Sequence, residues 1–561
     1  MPRVLLIGRS WMPSPSPSAI APLAAAFMIA ACAQATSTVT RSPSATITTD
    51  PPTRAERTHY AETSTDSDVT TFLSTLAHRT GRLDFVGLRD TTLGAAPIEL
   101  SAYDSSTNGG LIPFVIAARP AALSARDAHA KGRPVVFIEA GAGGDDGAGT
   151  DALLAVLRDL LAGQASKPNV LDSILLVAVP LANPDAVVPG MSSRGLTIIS
   201  PIAAPDTDLV AATARETRTT LAILHDWQPD VVIDLRAADA GGAAYPLTLG
   251  PPLAPAAVFV GPYTADSLLP ELRLRLAEVR KLESFRCGAI TPPWAAGSDS
   301  THHAYHGCDH RARVLTNYAG LANRLGVLAR TNAADSVAVQ VRAATSFLEE
   351  VLSLIAVHGP QILARTTAAD TTVEAWGGNP DGSPDIPLRA TRSASGPIVP
   401  ILVDQSQHDT SAHLPHVVRP HPMPVHDQLT VSVRRRLPAG YILEPGDTAT
   451  VRLLQRHGIT IQRHTTEMHA MIVERFIIDS VTTDSTWHDA DHPPRLAGHW
   501  LRAIGPTTLP AGTVVVPCSQ PLGLLAMILL EPESDDGFVT WHQFDARLHA
   551  GAAFPVAKLI E

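Results

Sequence analysis

The stretch 139–163, EAGAGGDDGAGTDALLAVLRDLLAG, follows the apolar run Val135, Val136, Phe137, Ile138 and leads directly into a leucine-rich segment. Four β-branched and aromatic residues in unbroken succession suit a strand buried on both faces. Leu153, Leu154, Val156, Leu157, Leu160 and Leu161 recur at helical spacing and end at Gly163, a natural helix stop. The reading is strand, glycine-rich turn, helix. Such a turn is where an α/β enzyme keeps its chemistry, yet this one carries no Ser, Cys, His or Lys.

The same grammar extends outward. Further buried strands are expected at 174–180, 231–235 and 326–329, with helices at about 208–227 and 336–355. Short apolar runs alternating with helical periodicity describe a doubly wound, mostly parallel α/β sheet. A Pro-, Gly-, Asp- and His-rich region, 359–430, reads as a linker or a strand-forming segment. Beyond it, 431–561 is expected to be a smaller α/β or β-rich domain: GYILEPGDTATVRLLQRHGITIQRH gives a strand, a helix capped by Asp447 and closed by Gly458, then a strand. AMIVERFIIDSV alternates as a half-solvated strand does.

At 561 residues the chain exceeds one compact core. A formal net charge of -11, with 43 Lys+Arg against 54 Asp+Glu and no dense basic run, argues against nucleic acid as a partner. The N-terminus reads as an export signal, 1–32. Arg3 and Arg9 precede an alanine-rich apolar stretch, 19–31, too short to span a bilayer. It ends in Ile29-Ala30-Ala31-Cys32, which resembles a bacterial lipobox with Cys32 as the lipidated residue. Pro13, Pro15, Pro17 and Pro22 are unusual in a signal, and Met12 is an alternative start. A Ser/Thr/Pro-rich tether, 33–55, would hold a folded body, beginning with a domain at 56–358, off the membrane of a bacterial envelope. Of the remaining cysteines, Cys287, Cys308 and Cys518, the first two are the candidate disulfide.

The order of elements resembles the zinc carboxypeptidases of the carboxypeptidase A type, in particular exported bacterial members with an extra C-terminal domain. The stretches that carry the resemblance are RPVVFIEAGAGGDDGAGTDALLAVLRDLL, ILLVAVPLANPDAVV, RETRTTLAILHDWQPDVVIDLRAADAGG and ANRLGVLARTNAADSVAVQVRAATSFLEEVL, joined near the end by LPAGTVVVPCSQPLGLLAMILLEPESDDGFVTW. They cover most of the chain after about Tyr60.

The resemblance implies a zinc site and a glutamate base at the carboxyl edge of the sheet, and the matching positions have changed. Gly143 stands where the first His ligand would be and Asp146 where the Glu ligand would be. Arg236, in IDLRAADAGG, takes the place of the second His ligand. Arg330 takes that of the catalytic glutamate, and Asn332 that of a nearby His. The pair that would hold a substrate carboxylate falls near Ile199 and Ser200. Catalytic zinc needs about three protein ligands and a base within reach of the bound water, and arginine cannot ligate zinc. The resemblance therefore leads to no intact catalytic residue, no metal and no cofactor. It points to a binding or structural module for a peptide or another anionic ligand received at Arg236, Arg330 and Asp146, with an Asp146–Arg236 ion pair in place of the metal. Oligomeric state is left open.

Two other sets of histidines are on offer. His302, His303, His306, Cys308 and His310 fit no zinc-finger spacing, yet with Asp146 they are the ligands that an alternative, an active zinc metallocarboxypeptidase, would recruit. His413, His416, His421 and His426 lie among prolines, which favour an extended connector over a metal site. A third reading makes the C-terminal domain the working part, binding a partner protein. No G-x-S-x-G elbow, P-loop or dinucleotide fingerprint is present.

Overall fold

A computed structural model describes residues 50–80, 84–86, 112–120, 122, 124–143, 146–162, 169–186, 208–238, 241–293, 300–404, 417–483 and 492–560. They belong to one compact unit, 49–561. Among the described residues, ten strands precede the helix Val337–Gly378: β1 (Asp84–Val86), β2 (Phe114–Ala117), β3 (Val135–Ala140), β4 (Leu175–Val179), β5 (Val231–Ala238), β6 (Leu247–Gly250), β7 (Ser284–Arg286), β8 (Gly288–Thr291), β9 (Ala304–Gly307) and β10 (Leu325–Asn332). Eight of them form the central sheet in the order β1-β2-β4-β3-β5-β10-β6-β7. The four strands expected from the sequence, β3, β4, β5 and β10, are its middle and run parallel.

The pleat sends alternate residues of these strands to two apolar layers. Val136, Ile138, Leu176, Ile233, Leu235 and Val327 face one layer, covered by the helices Asp66–Thr80, Gly147–Ala162, Leu269–Val279 and Val337–Gly378. Val135, Phe137, Leu175, Val177 and Val232 face the other, covered by Arg215–Trp227, Leu315–Leu321 and the C-terminal region. Both faces are dry, and for that reason the strands read as unbroken apolar runs.

Two helix limits differ from expectation. The helix expected from about 208 starts at Arg215, because the buried Asp208 carboxylate accepts the Ala214 N–H at 2.6 Å and the Thr213 hydroxyl at 2.8 Å and so holds the preceding turn open. The helix expected to stop near 355 continues through Pro360 to Gly378. Among the described residues of 379–430, strands form at Asp385–Arg392, Ile398–Asp404 and Val418–His426. Val418–His426 runs parallel to β9, in a second sheet with Ile398–Asp404 and β8.

The region from Gly440 builds a six-stranded sheet from Gly440–Leu443, Gln462–Arg463, Val473–Thr483, Pro494–Arg502, Val514–Pro517 and Ala553–Leu559. The helix Thr448–Arg456 is capped as its sequence indicates: Asp447 accepts the Thr450 N–H at 3.1 Å, and Gly458 takes a left-handed turn at φ +73°. Its core is continuous with the second layer. Leu454, Phe476, Val516 and Leu525 pack in the same cluster as Phe137 and Val177.

Candidate functional site

The glycine-rich turn after β3 is shaped for packing. Gly141 sits at φ +68°, and a Cβ there would come within 2.8 Å of Leu181 Cδ1. A Cβ on Gly147 would lie 2.4 Å from Thr63 Oγ1. The chain after β4 holds the turn down: Ala182 N donates to the Ala140 carbonyl at 2.9 Å and Asn183 N to the Gly141 carbonyl at 3.1 Å. These glycines answer to close approach of backbone and side chains, and no nucleophile is among them.

Gly143 lies exposed at the tip, its N–H directed to Asp146 Oδ2 at 3.3 Å. Asp146 is buried and stands directly before the helix Gly147–Ala162, with its carbonyl accepting from Gly149 and Thr150. A carboxylate at a helix N-terminus is stabilised by the free N–H groups there. Arg236 and Arg330 are register partners on the adjacent parallel strands β5 and β10. All four positions thus meet at the carboxyl edge of one sheet, as the sequence indicated.

The two arginines then diverge. Arg236 makes a two-point contact with Asp234, two residues back on the same strand face: Nε donates to Oδ1 at 2.7 Å and Nη2 lies 2.7 Å from Oδ2. Asp234 is fully buried and the Arg236 side chain is 11% exposed, so the pair is closed against solvent. A small polar pocket with room for about one water molecule borders it, lined by Glu139, Glu216, Thr217, Thr220 and Arg236 among others. There the Thr220 hydroxyl donates to Glu139 Oε2. Arg330 instead rests on the Cys287–Cys308 disulfide, its Nη1 at 3.2 Å from Cys308 Sγ and 3.8 Å from Cys287 Sγ. The expected disulfide is therefore present. Asn332 is a structural residue: it donates to the Ala243 carbonyl at 3.0 Å and accepts from Ala334 N at 3.1 Å.

Sequence reading missed Asp234, Glu139 and Thr220. The signal for Asp234 was available in the period of two along a strand, which puts residues 234 and 236 on one face. Thr220 gave none, because only the packing of the helix Arg215–Trp227 on β3 brings it to Glu139.

The loop histidines are dispersed. His303 Nδ1 meets the Pro292 carbonyl at 2.8 Å, and His310 Nε2 meets Asp535 Oδ2 at 3.2 Å. His306 stacks edge-on against His426 with ring centres 4.8 Å apart, His302 is exposed, and Cys308 is committed to its disulfide. Burial, with His426 and Arg392 nearby, lowers the His306 pKa and favours the neutral ring. His421 lies on the strand Val418–His426, whereas Ile199, Ser200, His413 and His416 fall outside the described residues, as does Cys32. Among the described residues no three His, Cys, Asp or Glu side chains are grouped so as to hold a metal ion. The side chains at these four positions do not make up a zinc donor set: glycine offers none, and arginine does not ligate zinc.

This chain is similar to solved metallocarboxypeptidases. Among them are a metallo-carboxypeptidase from Burkholderia cenocepacia (TM-score 0.35, 15% identity, 54% of this chain and 71% of that one) and the carboxypeptidase A from Helicoverpa armigera (TM-score 0.33, 11% identity, 55% and 75%). A putative metallopeptidase from Shewanella denitrificans OS217 has a TM-score of 0.31 at 14% identity, covering 52% of this chain and 90% of that one. No family model and no curated protein matches the chain.

Proposed function

We propose that the chain is an exported, lipid-anchored, carboxypeptidase-like protein that has lost zinc and catalysis and serves the cell envelope as a binding or structural module. The observation that carries this reading is the occupancy of the sheet edge. The positions that the sequence resemblance assigns to metal ligands and base converge there, and they hold a glycine, a carboxylate at a helix N-terminus, an arginine closed onto Asp234 and an arginine resting on a disulfide. None of these supplies a base poised to activate water. The inherited ligand class is a peptide or another anionic group, which the Arg330 guanidinium would receive without cleaving it.

Metal analysis of the purified protein, together with assay of C-terminal amino-acid release from peptides, tests the reading. Sub-stoichiometric metal and no release are expected. One equivalent of zinc accompanied by release would overturn it in favour of an active peptidase.

A further inference from the structure

We propose that the Cys287–Cys308 disulfide is a thiol-exchange site, opened by small dithiols, at which Arg330 steadies the departing thiolate. Three observations lead there. The sulfurs differ in access, since Cys287 is buried at 5% exposure whereas Cys308 is partly exposed. A cation stands over both of them, with Arg330 Nη1 at 3.2 Å from one sulfur and 3.8 Å from the other. Arg392 adds a second guanidinium that donates to the Cys308 carbonyl. A guanidinium beside a thiol favours its thiolate, and a thiol that ionises more readily leaves faster.

The third observation is that the backbone does not need the bond. Cys308 N donates to the Cys287 carbonyl at 3.2 Å, and Cys287 N to the Leu249 carbonyl at 2.8 Å. The β8–β9 ladder begins next door with Gly288 opposite Gly307. A hairpin already laddered to the last residue keeps its register when the sulfurs part.

The exchange balances as follows. One thiolate of the dithiol attacks Cys308 Sγ, forms a mixed disulfide and expels Cys287 as a thiolate beside Arg330. The second thiol of the reagent, as its thiolate, then attacks its own mixed sulfur, closes a cyclic disulfide and expels Cys308. Two electrons pass from the dithiol to the protein, and the two reagent protons go to the cysteines or to solvent.

The test uses oxidised full-length protein, wild type and the variants Arg330→Gln and Arg330→Lys, treated with dithiothreitol at mildly alkaline pH without denaturant. Alkylation followed by peptide mass spectrometry reads each cysteine. Cys518 is completely buried and free, so its labelling reports unfolding. In the wild type, Cys287 and Cys308 should be labelled while Cys518 stays protected. Arg330→Gln should slow this opening at least about threefold, the effect of about one pKa unit on the leaving thiol, and Arg330→Lys should recover most of the rate. The proposal fails if the pair opens only together with Cys518, which would make it a plain structural staple. It also fails if Arg330→Gln opens at the wild-type rate or faster with Cys518 protected.

Discussion

His457 shows how a single buried side chain makes the fold sensitive to acid. It lies in the core shared by the sheet and the C-terminal region, where Nδ1 accepts from the Tyr318 hydroxyl at 2.9 Å and Nε2 donates to the Val210 carbonyl at 3.1 Å. Burial lowers its pKa from 6.5 to about 4. The unfolded chain therefore binds a proton that the folded chain refuses, and the stability contributed by the neutral ring, present above pH 6.5, is lost as pH falls toward 4. Between pH 7 and 5 that loss is about 2 kcal/mol. In His457→Gln the amide keeps both hydrogen-bonding functions without titrating, so denaturant melts at the two pH values should show a smaller drop than in wild type; equal drops would contradict the assignment. At this scale the sequence was half legible. Arg236 and Arg330 were placed at the right edge and the Cys287–Cys308 pair was expected; the Asp234 partner was open to the strand's period of two, whereas the seat of Arg330 on the disulfide depends on a loop crossing that spacing does not encode.

The helix Val337–Gly378 is the element the sequence understated. The sequence places its end near 355 and a linker or strand-forming region from 359, and an interior proline such as Pro360 costs about 3 kcal/mol. What carries the helix past Pro360 is its buried stripe: Ile362, Thr366, Ala369 and Val373, at steps of three and four, with the Thr366 hydroxyl donating to the buried Asp230 at 2.9 Å. Burying Ile362 and Val373 returns about 1.5–3 kcal/mol each, enough to offset the proline. The helix ends against the C-terminal region, where a Cβ on Gly377 would fall 2.1 Å from the Cys518 carbonyl carbon, whereas one on Gly378 would meet nothing within 4 Å. Gly377→Ala should accordingly lose about 1–3 kcal/mol by overpacking. Gly378→Ala should be neutral or gain up to about 1 kcal/mol from helix propensity. Urea midpoints of the two variants decide it, and similar values would mean that the close approach yields without strain.

For the whole molecule, the first described residues are fastened to a helix covering the sheet. Asp151, buried on the helix Gly147–Ala162, accepts the N–H groups of Ala55 and Ser64 at 3.0 and 2.7 Å and the Ser64 hydroxyl at 2.9 Å. Arg158 adds an ion pair to Glu56 at 2.6 Å. The sequence expects a polar tether at 33–55 after Cys32. Replacing Cys32 by Ser should move the protein from the membrane to the soluble fraction, and unchanged partition would count against lipidation. The parallel sheet was legible because its strands are apolar on both faces. Its union with the C-terminal region was not, because that union rests on pairs far apart in sequence, such as Arg313 with Asp536 and the Asn323 amide with the Pro521 carbonyl. A core held in common in this way makes the two regions interdependent. A C-terminal region exchanged for an unrelated one would leave Arg313, Tyr318 and Asn323 without Asp536, His457 and the Pro521 carbonyl.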